Sequence, residues 1–135
     1  MTYNYSNGEL MRSVVVSVIL ALLMSLAFVS PASADHRARS YCSEDFCAGT
    51  KRGDDGARRF WIDSFAFESY TLCVWHVGKA KTCNRFEMEM DSEQNIFHDR
   101  IRWLRHYPDQ GPGKYKFVYR VYGNRITPIL GFHKS

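Results

Sequence analysis

From Arg59 to the C-terminus the chain is written in short runs with a period of two. Thr82 to Met90, Asp99 to His106 and Tyr115 to Tyr122 alternate apolar with polar side chains. Phe60 to Phe67 and Tyr70 to Val77 are aromatic and β-branched, and Arg125 to His133 closes the chain. Gly78, Asp91-Ser92, Pro108 to Gly113 and Gly123-Asn124 punctuate these runs with turn formers. A period of two gives a strand one dry and one wet face, and no stretch sustains the 3.6 period of a helix. The expected fold is therefore all-β: a single small antiparallel β-sandwich.

Four cysteines, Cys42, Cys47, Cys73 and Cys83, all lie beyond Ala34 in the 135 residues. An even count in a short exported chain reads as a disulfide framework. The local pairs Cys42–Cys47 and Cys73–Cys83 are expected, because each interval is short and holds turn-compatible residues. Neither spacing is Cys-x-x-Cys, so no metal site is expected, and no cofactor fingerprint is present. Export is read from the N-terminus. Arg12 precedes an apolar run from Val14 to Val29, and Ala32-x-Ala34 follows as a signal-peptidase pattern. The run is shorter than the ~20 residues of a membrane span. Residues 1–34 are expected to be a removed secretion signal. That leaves an extracellular chain beginning at Asp35 with no membrane span. Within it, residues 35–58 read as a polar arm stapled by Cys42–Cys47, and residues 59–135 as the sandwich. A chain of this length excludes a doubly wound sheet, an eightfold barrel or a multidomain enzyme.

Opposed residues of an antiparallel pair have a constant index sum, and this fixes the expected registers. A sum of 156 sets Cys73 against Cys83 and Tyr70 against Phe86. A sum of 189 for 82–90 with 98–106 sets Phe86 against Trp103, Met88 against Ile101, Glu87 against Arg102 and Glu89 against Arg100. Apolar then meets apolar and acid meets base. The first register puts the Cys73–Cys83 bridge on an outer face beside Trp75, where the polar arm is expected to cover it.

The segment Asp109-Gln110-Gly111-Pro112-Gly113-Lys114-Tyr115-Lys116-Phe117 resembles the tyrosine-corner approach, D-x-G-x-Y-x-C, of immunoglobulin-like sandwiches. The Asp-to-Tyr interval is two residues longer here, and Phe117 stands where the second cysteine would be. The resemblance implies an immunoglobulin-like sandwich in which a bulky aromatic contact replaces the inter-sheet disulfide. It implies nothing about function.

The net charge is +4 and is unevenly spread. Residues 98–135 contribute Arg100, Arg102, Arg105, Lys114, Lys116, Arg120, Arg125 and Lys134 against Asp99 and Asp109. Lys116, Arg120 and Tyr122 share one face of a strand at 115–122. If strand 70–77 is its neighbour, Trp75 joins them. An aromatic ring among cations suits an anionic polymer or a flat anionic ligand. Arg37, Arg39, Lys51 and Arg52 of the arm are the next basic group. The expected function is that of a secreted, non-catalytic binding module. Its partner would be an extracellular protein, a small molecule or a polyanion. The alternatives are an inhibitor of an extracellular enzyme, displaying a stapled loop, and a small secreted ribonuclease or toxin. A nuclease would draw on His98, Arg100, Arg102 and His106, with Glu89 across the strand. No hydrolase signature supports it.

Overall fold

The computed structural model describes residues 38–135. The expected signal peptide lies outside the described residues, as does the new N-terminus at Asp35. The strands are β1 (Ser40–Cys42), β2 (Phe46–Arg52), β3 (Arg58–Ser64), β4 (Ser69–His76), β5 (Thr82–Glu87), β6 (Glu89–Asp91), β7 (Ile96–Arg102), β8 (Gly113–Val121), β9 (Asn124–Arg125) and β10 (Leu130–Lys134). One helical turn, α1 (Trp103–His106), follows β7. All strand pairs are antiparallel. The first sheet has the order β1-β2-β3-β7-β6 and the second β10-β8-β4-β5, with β9 also on β8.

Alternation assembles the core. Ala48, Phe60, Ile62 and Ile101 point inward from the first sheet, and Tyr70, Leu72, Val74, Phe117, Tyr119 and Leu130 from the second. Phe60 meets Phe117 edge-on, with ring centroids 5.1 Å apart. The two sheets are also joined by a polar bolt. The fully buried Tyr119 hydroxyl lies 2.9 Å from both the Gly49 and the Trp61 carbonyl oxygens of the first sheet. Burial pushes its phenol well above the ordinary range, so the proton stays on and is available to donate. Glycine is required at position 49 by close backbone packing. A Cβ there would fall 2.6 Å from the Arg39 carbonyl oxygen and block the approach of the chain leading into β1.

Both expected disulfides are present, Cys42–Cys47 and Cys73–Cys83, each joining residues directly opposed in a hairpin. The register between β4 and β5 is the one with Cys73 opposite Cys83 and Tyr70 opposite Phe86. The second expected register does not form. The run 82–90 is not one strand: it crosses from the second sheet to the first at Met88, whose N–H donates to the Glu68 carbonyl. Glu89 therefore opposes His98, not Arg100, and Phe86 packs beside Tyr70 instead of facing Trp103 across a strand. The alternation in 99–106 is likewise broken, because β7 ends at Arg102 and Trp103 begins α1.

Residues 38–58 also depart from the arm expected over 35–58. β2 is an integral strand paired along its length with β3, and Phe46, Ala48 and Thr50 are buried. It lies in the first sheet, so it does not cover the Cys73–Cys83 bridge on the outer face of the second. Cys73 is buried there, as is Val118 opposite it.

Candidate functional site

Two basic surfaces are built by the fold. The first is the outer face of the second sheet, where β4 does neighbour β8. Trp75 opposes Lys116, and Thr71 opposes Arg120. Lys81, from the β4–β5 turn, sets its ammonium 4.3 Å from the Trp75 ring centroid. Among the described residues no ion pair involves Lys116 or Arg120. Tyr122 is not in the row with them. β8 ends at Val121, and Tyr122 occupies the following turn with φ 50° and 87% exposure. It flanks the patch from its end.

The histidine–arginine constellation forms only in part: Glu89 lies across from His98, 4.0 Å away, but the other members are drawn off. His98, Arg100 and Arg102 do share the outer face of β7, but α1 carries His106 away to pack edge-on against Phe86. Arg100 forms a 2.9 Å ion pair with Asp63, and Arg102 a 2.9 Å pair with Asp55.

The second surface lies at one end of the first sheet, and of the basic group expected in residues 35–58 it takes Arg52. β2 points Phe46, Ala48 and Thr50 inward, and the same parity makes Arg52 the next inward position. β3 points Phe60, Ile62 and Ser64 inward, and the preceding position of that row is Arg58. The register sets Arg52 directly opposite Arg58, and Lys51 opposite Arg59 opposite Arg102. Like charges opposed across strands are destabilising. One carboxylate answers part of this. Asp55 accepts from Arg59 at 2.9 and 2.8 Å and from Arg102 at 2.9 Å. Arg58 has no such partner among the described residues. Its guanidinium lies 4.3 Å from the Phe132 ring centroid, with one long contact of 3.4 Å to the Thr50 hydroxyl.

Here the sandwich opens into a cavity of about 440 Å³ lined by, among others, Arg52, Arg58, Arg102, Arg105, His133 and Lys134. Trp103 and Leu104 supply its apolar wall. Trp103 is 5% exposed, and its indole N–H is buried without an acceptor. Lys134 is engaged by Asp109. Burial, and then the charges of Arg39 and Arg52, depress the Arg58 pKa to about 10. It stays cationic at neutral pH in a place that disfavours the charge.

Asp55 gives this end of the molecule an acid limit. Hydrogen bonds from Arg59 first, then the Ala57 N–H, lower its carboxyl from the ordinary 3.8 to about 2. A carboxyl whose folded pKa is depressed contributes its full stability above the unfolded value and loses it as pH falls through the folded one. The expected result is a stability that declines between about pH 4 and pH 2, with Asp55→Asn flattening that decline. Urea midpoints measured across this range check it; an Asp55→Asn acid limb as steep as the parent's contradicts it.

Among the described residues no helix is long and apolar enough to cross a membrane, and no group of His, Cys, Asp and Glu is arranged to hold a metal ion. Compared with protein-family models, with curated proteins and with solved structures, the chain matches none.

Proposed function

We propose that this chain is a secreted, non-catalytic binding module of immunoglobulin-like architecture that holds an acidic polymer on the outer face of its second sheet. The architecture is supported by strand order. Without β1 and β9, the sheets run β2-β3-β7-β6 and β5-β4-β8-β10, which corresponds to ABED and C′CFG. It is supported too by Tyr115 near the start of β8, whose hydroxyl donates to the Gly111 carbonyl at 2.6 Å and accepts from Gln110 N–H at 3.0 Å. That is the geometry of a tyrosine corner. Phe60 and Phe117 would then occupy the places of the inter-sheet cysteines. Export is supported by the two disulfides, which persist in oxidising compartments.

The observation that carries the binding reading is the register of β4 with β8. It sets Trp75 beside Lys116, with Arg120 four residue pairs along the same two strands and on the same outer face, the buried Cys73–Val118 pair lying between them. A sheet face that carries an aromatic ring and a row of cations without ion-pair partners among the described residues suits a polymer, which needs no enclosure. The test is the double variant Lys116→Ser/Arg120→Ser. Retention on heparin or single-stranded nucleic-acid resin at low salt is expected to fall sharply, with stability within about 0.5 kcal/mol of the parent for surface changes. Unchanged retention removes this face from consideration.

A further inference from the structure

We propose that the cavity between the Arg52–Arg58 rung and Trp103 is a binding site for a small organic phosphate. Arg52, Arg58 and Arg105 would hold the phosphoryl group, and an apolar or aromatic body would lie along Trp103 and Leu104. This goes beyond the polymer-binding reading and rests on different residues, at the end of the sandwich instead of its outer face.

The argument begins with a conflict in the sequence. Strand alternation reserves inward positions for apolar groups, yet positions 52 and 58 of two paired strands are both arginine. They oppose each other directly, and no carboxylate among the described residues answers either of them. Arg58 is half-buried and Arg52 exposed; half-burying a guanidinium that has no carboxylate partner costs stability, and a like charge directly across the strand adds to that cost. Arg58 has only the face of Phe132 and one long contact to the Thr50 hydroxyl in compensation, and a local rule broken with so little in return marks a functional site. Asp55 shows that this region does use carboxylates where structure alone is at stake: it neutralises the outward-facing Arg59 and Arg102. The inward pair and the rim residue Arg105 are left for something outside the chain. Trp103 adds an independent anomaly on the same wall, a buried N–H donor with no acceptor, where buried polar groups are ordinarily satisfied.

The chemistry of the walls narrows the ligand. Guanidinium groups are planar forks that match phosphate oxygens in pairs. Several uncompensated cations favour a dianion over a singly charged carboxylate or sulfonate. The volume, about 440 Å³, falls within the range of about 300–1,000 Å³ that encloses small molecules. The indole of Trp103 and the side chain of Leu104 offer an apolar surface that inorganic phosphate does not use. A phosphate monoester on a compact apolar body satisfies all three conditions.

Calorimetric titration and thermal unfolding of the disulfide-bonded protein test this, with phenyl phosphate, inorganic phosphate, benzenesulfonate and phenol as probes at one ionic strength. Phenyl phosphate is expected to bind at least tenfold more tightly than inorganic phosphate or benzenesulfonate and to raise the unfolding temperature, with phenol inert. Arg58→Met is expected to weaken phenyl phosphate at least tenfold. Arg105→Ser, on the exposed rim, is expected to weaken it severalfold, and it provides the test should Arg58→Met fail to fold. Lys116→Ser/Arg120→Ser is expected to leave phenyl phosphate binding unchanged even where it abolishes polymer retention, so the two readings fail separately. Phenyl phosphate that binds no better than inorganic phosphate overturns the proposal. So does binding indifferent to Arg58 and Arg105. Loss of heparin retention in Arg58→Met without any phenyl phosphate binding also overturns it, and assigns this end to the polymer surface.

Discussion

Phe117→Ala is expected to lower stability by about 3–5 kcal/mol, the cost of emptying a fully buried aromatic site. Phe117 is 0% exposed and touches Phe60 from the opposite sheet and Phe132 from the neighbouring strand. Its ring therefore fills the space between the sheets, and the strands on either side are held by their own hydrogen bonds and resist collapse into the void. A domain of this size has a net stability of only about 5–15 kcal/mol. The unfolding temperature should fall by more than roughly 10 °C. Urea unfolding checks this, with Phe117→Leu as the milder comparison. A loss below about 1 kcal/mol would mean that the sheets do not meet at Phe60 and Phe117.

Reduction of both disulfides is expected to have an effect of similar size by a different route. The bridges close intervals of 5 and 10 residues. Chain-entropy arguments assign such loops about 2 and about 3 kcal/mol. The bridges lie in different sheets, so their contributions should add. The reduced and alkylated chain is expected to unfold at a much lower urea concentration than the oxidised one, or to be unfolded without urea. Paired Cys→Ala variants separate the contributions, and Cys73→Ala/Cys83→Ala is expected to be the costlier pair. A reduced protein with an unchanged midpoint would show that the hairpins hold without their staples.

The disulfide pairing and the β4–β5 register were legible because both are local. Cys73 and Cys83 belong to one hairpin, and a constant index sum fixes every partner at once. The β5–β7 register was misread because the same arithmetic cannot see a strand change sheets. Glu87 and Glu89 do alternate with Phe86 and Met88, and they do complement Arg102 and Arg100 in charge. The true partners of those arginines, Asp55 and Asp63, come from 47 and 37 residues away. The cationic cavity was hidden by composition. Gly-rich, charged residues around 48–56 suggest a loop, and once they are set aside as an arm, Arg52 has no parity. Extending the inward row Phe46, Ala48, Thr50 by one step, and Phe60, Ile62 backwards by one, would have placed both arginines at the mouth of the core. Trp75 with Lys116 required only that two strands be neighbours, an inference that the Tyr115 segment already suggested.

The crossing at Met88 decides how the molecule presents its borders to other chains. A continuous strand from Thr82 to Met90 would have formed one long rim of open N–H and C=O groups along a single sheet. Divided at Met88, the run becomes two short rims on different sheets, β5 with the charged side chains Arg85 and Glu87, and the three-residue β6 between Glu89 and Asp91. Short, charged borders are poor templates for strand addition. One residue that turns from one sheet to the other thus denies a second copy the straight ledge on which fibrils of β-rich proteins begin.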